Sequence, residues 1–171
     1  ISEADRLDKV DIGSMYGLRS WLVEGGKYGD IYAQNFIRDA KTGLICVNAD
    51  GKIQYADEFE KVGNVNADVR LGWGNTFTYK DFSLYFLIDG SIGGNFFDMT
   101  QASLDMYGVS ENSAKARDNG GVEVFNTASG QVEKMDAKSF YTAIGSINGG
   151  SGDYYAYSQT NFRLRELSIG Y

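Results

Sequence analysis

Residues 68–92 read DVRLGWGNTFTYKDFSLYFLIDGSI, and this stretch decides the fold class. Apolar side chains recur at every second position on both sides of Lys80-Asp81. Such alternation over this length is typical of β-strands, because successive side chains of a strand point to opposite faces. The stretch therefore predicts two strands, 68–79 and 82–92, that fold back on each other at the Lys-Asp dipeptide.

The same pattern predicts the register of this hairpin. If the chain turns at the Lys-Asp dipeptide, the residue numbers of cross-strand partners sum to 161. Trp73 then lies opposite Ile88, and one face of the hairpin is apolar across both strands. Partners that sum to 160 or 162 would place the two apolar sets on opposite faces and contradict the prediction. On the polar face, Arg70 is diagonal to Asp89, close enough for an ion pair.

The two strands favour a transmembrane β-barrel over a soluble β-sandwich. They have 11–12 residues, and a tilted strand needs about 9–11 to cross a bilayer. The polar face is mostly Gly, Ser and Thr, as in a barrel lumen, whereas the outward face of a sandwich usually carries charges. In the barrel interpretation, the residues predicted to face lipid are Val69, Leu71, Trp73, Phe77, Tyr79, Phe82, Leu84, Phe86 and Ile88.

Composition narrows the possible functions. The 171 residues carry 16 Lys and Arg against 23 Asp and Glu, a net charge of −7, so we expect no nucleic-acid partner. The sequence has no histidine and one cysteine, Cys46, which argues against disulfide frameworks, Cys/His zinc sites and histidine general bases. Within Leu-Ile-Cys-Val, this cysteine is expected to be a small buried apolar residue. We expect no cofactor, metal or catalytic residue, and no apolar run is long enough for a transmembrane helix.

The rest of the chain predicts one more long strand near each end and a loop with helices between. Residues 12–23 and 161–171 are the expected strands. A hairpin that turns at Asp50-Gly51 is expected between 43–48 and 53–55, and Asn48 and Asp50 are expected to be turn residues rather than calcium ligands. Short helices are expected within 93–160, and the tyrosines near the end of that loop are expected to pack within it. The helical segments are Thr100–Met106, Ser110–Arg117 and Asp136–Ile144, with Ser110 and Asp136 as N-caps.

Several motifs occur in a characteristic order over residues 12–171. They are Gly63-Asn64, the strand–turn–strand block 72–84, Gly93-Gly94, Leu104-Asp105, Tyr107-Gly108-Val109-Ser110, Arg117 and the closing strand NFRLRELSIGY at 161–171. With these motifs the chain resembles the SusC/RagA family of TonB-linked outer-membrane transporters. The resemblance implies an all-β fold: a segment of a large antiparallel transmembrane β-barrel whose long extracellular loops contain short helices.

The resemblance also implies a function and a set of partners. Members of this family import oligomers, such as glycans or peptides, through the outer membrane of Gram-negative bacteria. The implied partners are a SusD-like surface lipoprotein, the TonB system, the lipid of the outer membrane, and an oligosaccharide or peptide substrate. Residues 1–171 would be part of the barrel domain, and the segments that contact TonB would lie outside them. Lys80-Asp81 would face the periplasm, and 93–160 would be extracellular.

Two alternatives belong to other classes of protein. A soluble carbohydrate-binding β-sandwich would use Tyr and Trp to stack on sugar rings, and it would purify without detergent. A glycosidase would use two carboxylates, but no pair of acidic residues stands out, so we expect no enzyme. The barrel interpretation also predicts that these residues form an open sheet and no closed domain. It places the loops 24–60 and 93–160 at the end of the sheet opposite Lys80-Asp81.

Overall fold

The computed structural model describes residues 9–147, 150 and 152–171. The described residues are mostly β, with 48% in strands and 16% in helices, and the strands form open sheets, as the alternation predicted. The described residues divide into two compact units. The first lies within Ile1–Gly63 and Phe97–Ala156, and the second comprises Asn64–Phe96 and Tyr157–Tyr171.

The secondary structure elements have the following bounds. The strands are β1 (Lys9–Met15), β2 (Leu18–Val23), β3 (Asp30–Ala33), β4 (Cys46–Val47), β5 (Glu60–Asn64), β6 (Val69–Tyr79), β7 (Phe82–Ile92), β8 (Asn95–Phe97), β9 (Val122–Asn126), β10 (Gln131–Met135), β11 (Ala156–Ser158) and β12 (Asn161–Gly170). The helices are α1 (Met99–Met106), α2 (Glu111–Asp118) and α3 (Ala137–Gly145). The strands form sheets in the orders β1-β2-β3-β5, β10-β9-β4, β11-β8 and β12-β7-β6.

The prediction of a single strand at 12–23 is wrong, because this region forms the antiparallel hairpin of β1 and β2. Tyr16 and Gly17 turn the chain, with φ values of 55° and 75°. Positive φ at both central residues is the requirement of a type I′ turn, which matches the twist of the flanking strands. The sequence does not indicate this turn clearly, because Tyr16 stands where Asn or Gly usually precedes the glycine of a type I′ turn.

The hydrophobic core of the first unit lies where helices α1, α2 and α3 meet the β4–β9–β10 sheet. Strands β9 and β10 form a hairpin, and β4 pairs with β9 in parallel through Cys46 and Phe125. The core residues are Phe36, Ile45, Val47, Ala102, Ala116, Val124, Ala137, Phe140, Tyr141, Ile144 and Tyr155. Part of the predicted loop 93–160 therefore packs around a core of its own, together with residues from 36–47.

The three predicted helices are confirmed to within a few residues. The Ser110 side chain accepts a hydrogen bond from the Ser113 amide at the start of α2, and Asp136 does the same for Ser139 at the start of α3. Each cap satisfies an amide that has no partner within the helix. The expected ends are also close, since α3 ends at Gly145.

The predicted turn near Asp50-Gly51 is also confirmed. The Asn48 side-chain oxygen accepts hydrogen bonds from the backbone amides of Asp50 and Lys52, and Gly51 has φ 73°. An asparagine that bonds to the backbone two residues further on forms an Asx turn. Asn48 therefore shapes the turn through its side chain, as expected of a turn residue.

A buried hydrogen-bonded cluster connects α1 to the segment before β11. Asp105 is fully buried, and its carboxylate accepts hydrogen bonds from Gln101 Nε2 at 2.8 Å and from the Tyr155 hydroxyl at 2.9 Å. Burial first, and then the hydrogen bond to the Asp105 carboxylate, raise the pKa of Tyr155 well above its usual value. The prediction that the late tyrosines pack within the loop is confirmed for Tyr154 and Tyr155, whereas Tyr157 is exposed.

We expect Tyr155 to lower the stability of this unit at alkaline pH. The folded chain keeps the phenolic proton above about pH 10, where the unfolded chain loses it, so the free energy of unfolding falls as the pH rises further. At pH 11, folded wild type and Tyr155→Phe should have equal tyrosinate absorbance at 295 nm. Unfolding in urea should then give the wild type one tyrosinate more than the variant. A wild type that already shows this excess while folded would contradict the prediction.

The hairpin of β6 and β7 has the predicted register. Its pairs run from Val69–Ile92 to Tyr79–Phe82, and the residue numbers of every pair sum to 161. Lys80 closes the turn with φ 52°, a left-handed conformation that costs a non-glycine residue about 1 kcal/mol. Its ammonium group lies 5.4 Å from the centre of the Tyr79 ring, a cation–π contact that offsets part of this cost.

No helix within residues 9–147 and 152–171 is long and apolar enough to span a membrane.

Candidate functional site: the two faces of the β6–β7–β12 sheet

Strand β12 joins the second unit on the free side of β7. Leu164 pairs with Ile88, and Glu166 pairs with Leu87, so Arg165 is an extra residue in a β-bulge. The bulge shifts the alternation of β12 by one position. As a result, Leu164 and Leu167 lie on the same face of the sheet although they are three residues apart.

One face of this sheet is apolar across all three strands except at Asn75, which lies opposite Phe86. It carries all nine residues predicted to face lipid, and β12 adds Phe162, Leu164, Leu167 and Ile169. Trp73 is 58% exposed and Phe77 is 55% exposed, whereas Phe86 and Ile88 on the central strand are half-buried. The Phe86 ring lies 5.3 Å from that of Trp73 and 6.0 Å from that of Phe77. The structure therefore brings the nine residues together on one exposed surface, here called the apolar face.

Aromatic side chains gather at the end of this face where the hairpin turns. Tyr79 is 73% exposed, and Phe82 packs against Tyr171 with ring centres 5.0 Å apart. A tyrosine has an apolar ring with a polar hydroxyl at its tip, and this hydroxyl prefers contact with water. This end of the sheet thus combines apolar area with polar tips.

The opposite face holds a charged cluster around Asp89. Its carboxylate accepts hydrogen bonds from Arg163 Nε at 2.6 Å and from Arg165 Nη1 at 2.5 Å. The expected partner, Arg70, forms no hydrogen bond or ion pair with any residue that the structure describes. The pairing of Arg70 with Asp89 is therefore wrong, because the two arginines of β12 occupy the carboxylate instead.

The charged cluster lines a groove of about 370 Å³. Three arginines and one aspartate contribute to its wall, so the groove is positive although the chain as a whole is acidic. Its volume lies at the lower end of the range for small-molecule sites. The rest of the wall is half polar and half non-polar, and comprises Ser91, Gln159, Asn161, Ala67, Leu71 and Gly90. We call this feature the arginine groove.

Two other kinds of site, a metal site and a reactive thiol, lack support in the described part of the chain. No group of three or more His, Cys, Asp or Glu residues there is arranged to hold a metal ion. Cys46 is 3% exposed, and burial raises the pKa of its thiol, which disfavours the reactive thiolate. The prediction that Cys46 is a buried apolar residue is thus confirmed.

Sequence reasoning missed Arg163 and Arg165 because it assigned no partner to the last strand. A signal was present in the apolar positions of 161–170. They are even-numbered at Phe162 and Leu164 but odd-numbered at Leu167 and Ile169. Such a change of phase within a strand indicates a bulge, which here allows both arginines to reach one carboxylate.

No protein-family model matches this chain, and no curated protein is significantly similar to it. A functional assignment therefore depends on the geometry of the two faces and on the motifs in the sequence.

Proposed function

We propose that the β6–β7–β12 sheet is part of a transmembrane β-barrel in the outer membrane, with its apolar face against lipid. The observation that carries the proposal is the exposed apolar face on strands of 11, 11 and 10 residues. Soluble proteins rarely expose so large a contiguous apolar surface. Strands of this length match the thickness of a bilayer when they are tilted.

The ends and edges of the sheet support the same proposal. The aromatic residues near the turn suit the membrane–water interface, where barrels carry a girdle of such side chains. Within the described residues, β6 and β12 each pair on one side only. Unpaired strand edges are costly in lipid, because their amides and carbonyls lack water. We propose that further strands of the same barrel pair with both edges.

The polar face would then line the lumen, and the protein would be an importer. The sequence motifs resemble those of SusC/RagA transporters, so we propose TonB-dependent uptake of an oligosaccharide or peptide with a SusD-like lipoprotein as partner. The glycines and the small Ser and Thr side chains on this face leave space for a passing substrate, and the arginine groove lies on the same side. The proposed location is the outer membrane of a Gram-negative bacterium.

The exposure of the apolar face favours this function over a soluble sandwich. A sandwich buries one face of each sheet against the other, and Trp73 and Phe77 would have to lie in that core. More than half of each of these side chains is exposed.

Fractionation and uptake together test the proposal. We expect the protein in the outer-membrane fraction, released by detergent and not by high salt. Uptake of a labelled oligomer should require the gene and should stop when a protonophore collapses the proton gradient that energises TonB. Purification of a folded, monodisperse protein without detergent would contradict the proposal.

A further inference from the structure

We infer that the arginine groove binds an acidic sugar unit of an oligosaccharide, holding its carboxylate with arginine and its hydroxyls with amide oxygens. This inference rests on the proposed transport function, and it names the class of substrate. It concerns Arg70, Arg163, Arg165, Gln159 and Asn161, which all line the groove.

The arginines supply more hydrogen-bond donors than the protein uses. A guanidinium has five N–H donors. Arg163 binds Asp89 through Nε and Nη2, Arg165 binds it through Nη1, and Arg70 binds no described residue. The wall therefore carries three guanidinium groups and one carboxylate, and it keeps a net positive charge. A second carboxylate would complete the charge balance, and a guanidinium can bind it with two parallel hydrogen bonds.

Asp89 prepares the site by holding two of the arginines in place. Its side chain is only 17% exposed, whereas those of Arg163 and Arg165 are more than 60% exposed. The carboxylate thus fixes one side of each guanidinium, and much of the remaining surface is open to solvent. Less side-chain entropy is then lost when a ligand binds.

The two amide side chains indicate a sugar rather than a simple anion. Gln159 Nε2 donates to the carbonyl oxygens of Asn95 and Val65, and Asn161 Nδ2 donates to Ser91 Oγ and to the Gln159 carbonyl. Their amide donors are therefore occupied, and the side-chain oxygens have no hydrogen-bond donor among the described residues. Such oxygens accept hydrogen bonds from hydroxyl groups, which sugars carry and inorganic anions such as sulfate lack.

Binding of matched ligands to the purified full-length protein tests the inference. The probes are tetragalacturonate and its methyl ester, which has the same backbone without the negative charges. We expect the wild type to bind the acid at least tenfold more tightly than the ester by calorimetry. This preference should weaken as sodium chloride is raised from 50 to 500 mM, because salt screens charge pairs.

Substitution of Arg70 gives the sharper test, because this side chain has no hydrogen-bond or ion-pair partner among the described residues to lose. Arg70→Gln should weaken binding of the acid about tenfold to a hundredfold, the range for a hydrogen bond to a charged group. Binding of the ester should not change. Lys80→Gln removes the same charge at the hairpin turn, outside the groove, and should have no effect on either probe.

The outcomes separate this inference from the transport function. Equal affinity for acid and ester, or equal effects of Arg70→Gln and Lys80→Gln, would overturn the acidic-sugar inference. Energy-dependent uptake of a neutral oligomer would still support transport in that case. Conversely, selective binding of the acid by a protein that purifies without detergent would support the groove and overturn the membrane function.

Discussion

Ile88→Arg is expected to prevent assembly of the protein into outer membranes, whereas Thr76→Arg is expected to be tolerated. Ile88 lies at the centre of the apolar face, between Trp73 on β6 and Leu164 on β12. An arginine on the lipid side near the middle of the bilayer costs about 2–4 kcal/mol. Thr76 belongs to the polar face opposite Tyr85, where a charge remains hydrated.

The measurement is the fraction of each variant that migrates as a folded, heat-modifiable species in isolated outer membranes. Phe86→Arg should behave like Ile88→Arg, because its side chain lies on the same face of the same strand. If the lipid-face and polar-face variants assemble to equal extents, the proposed orientation of the sheet is wrong.

Phe140→Ala is expected to unfold the first unit locally. The Phe140 side chain is 1% exposed, and its ring lies 5.2 Å from that of Tyr141 and 6.3 Å from that of Tyr154. Removal of a buried phenylalanine typically costs about 3–5 kcal/mol, which is a large part of the stability of a small domain. Amide hydrogen exchange in α1 and α3 should therefore accelerate by at least about a hundredfold.

Lys138→Ala is the matched control on the same helix. Lys138 is exposed, and substitutions at such positions usually change stability by less than about 0.5 kcal/mol. Exchange in α1 and α3 should then stay within a few-fold of the wild type. Comparable acceleration in the two variants would show that Phe140 does not hold this core together.

Local patterns predicted the features that depend on neighbouring residues. The β6–β7 register follows from period-two alternation on both sides of a tight turn, so each strand specifies the face of the other. The helix starts follow from Ser110 and Asp136, whose side chains act within three residues. Both signals are short-range, and a single sequence contains them in full.

Features that join distant segments were not predictable in the same way. The pairing of β12 with β7 rather than with another strand depends on tertiary structure. The contact of Arg163 with Asp89 depends on this pairing. The parallel pair of β4 and β9 joins two short apolar segments with no turn between them. The arginine groove combines residues from β6, β7 and β12, so it becomes visible only when all three strands are aligned.

The parallel pairing of β4 with β9 has a consequence for the order in which the chain folds. Cys46 and Phe125 become neighbours, although the whole β6–β7 hairpin is made between them. Closing so long a loop costs entropy before its contacts form, whereas a hairpin closes locally and fast. We therefore expect the β6–β7 hairpin to form before the β4–β9 pair. Because Phe140 and Tyr155 complete the core of the first unit, a truncated chain that ends before them should expose Phe36, Ile45 and Val47 and aggregate.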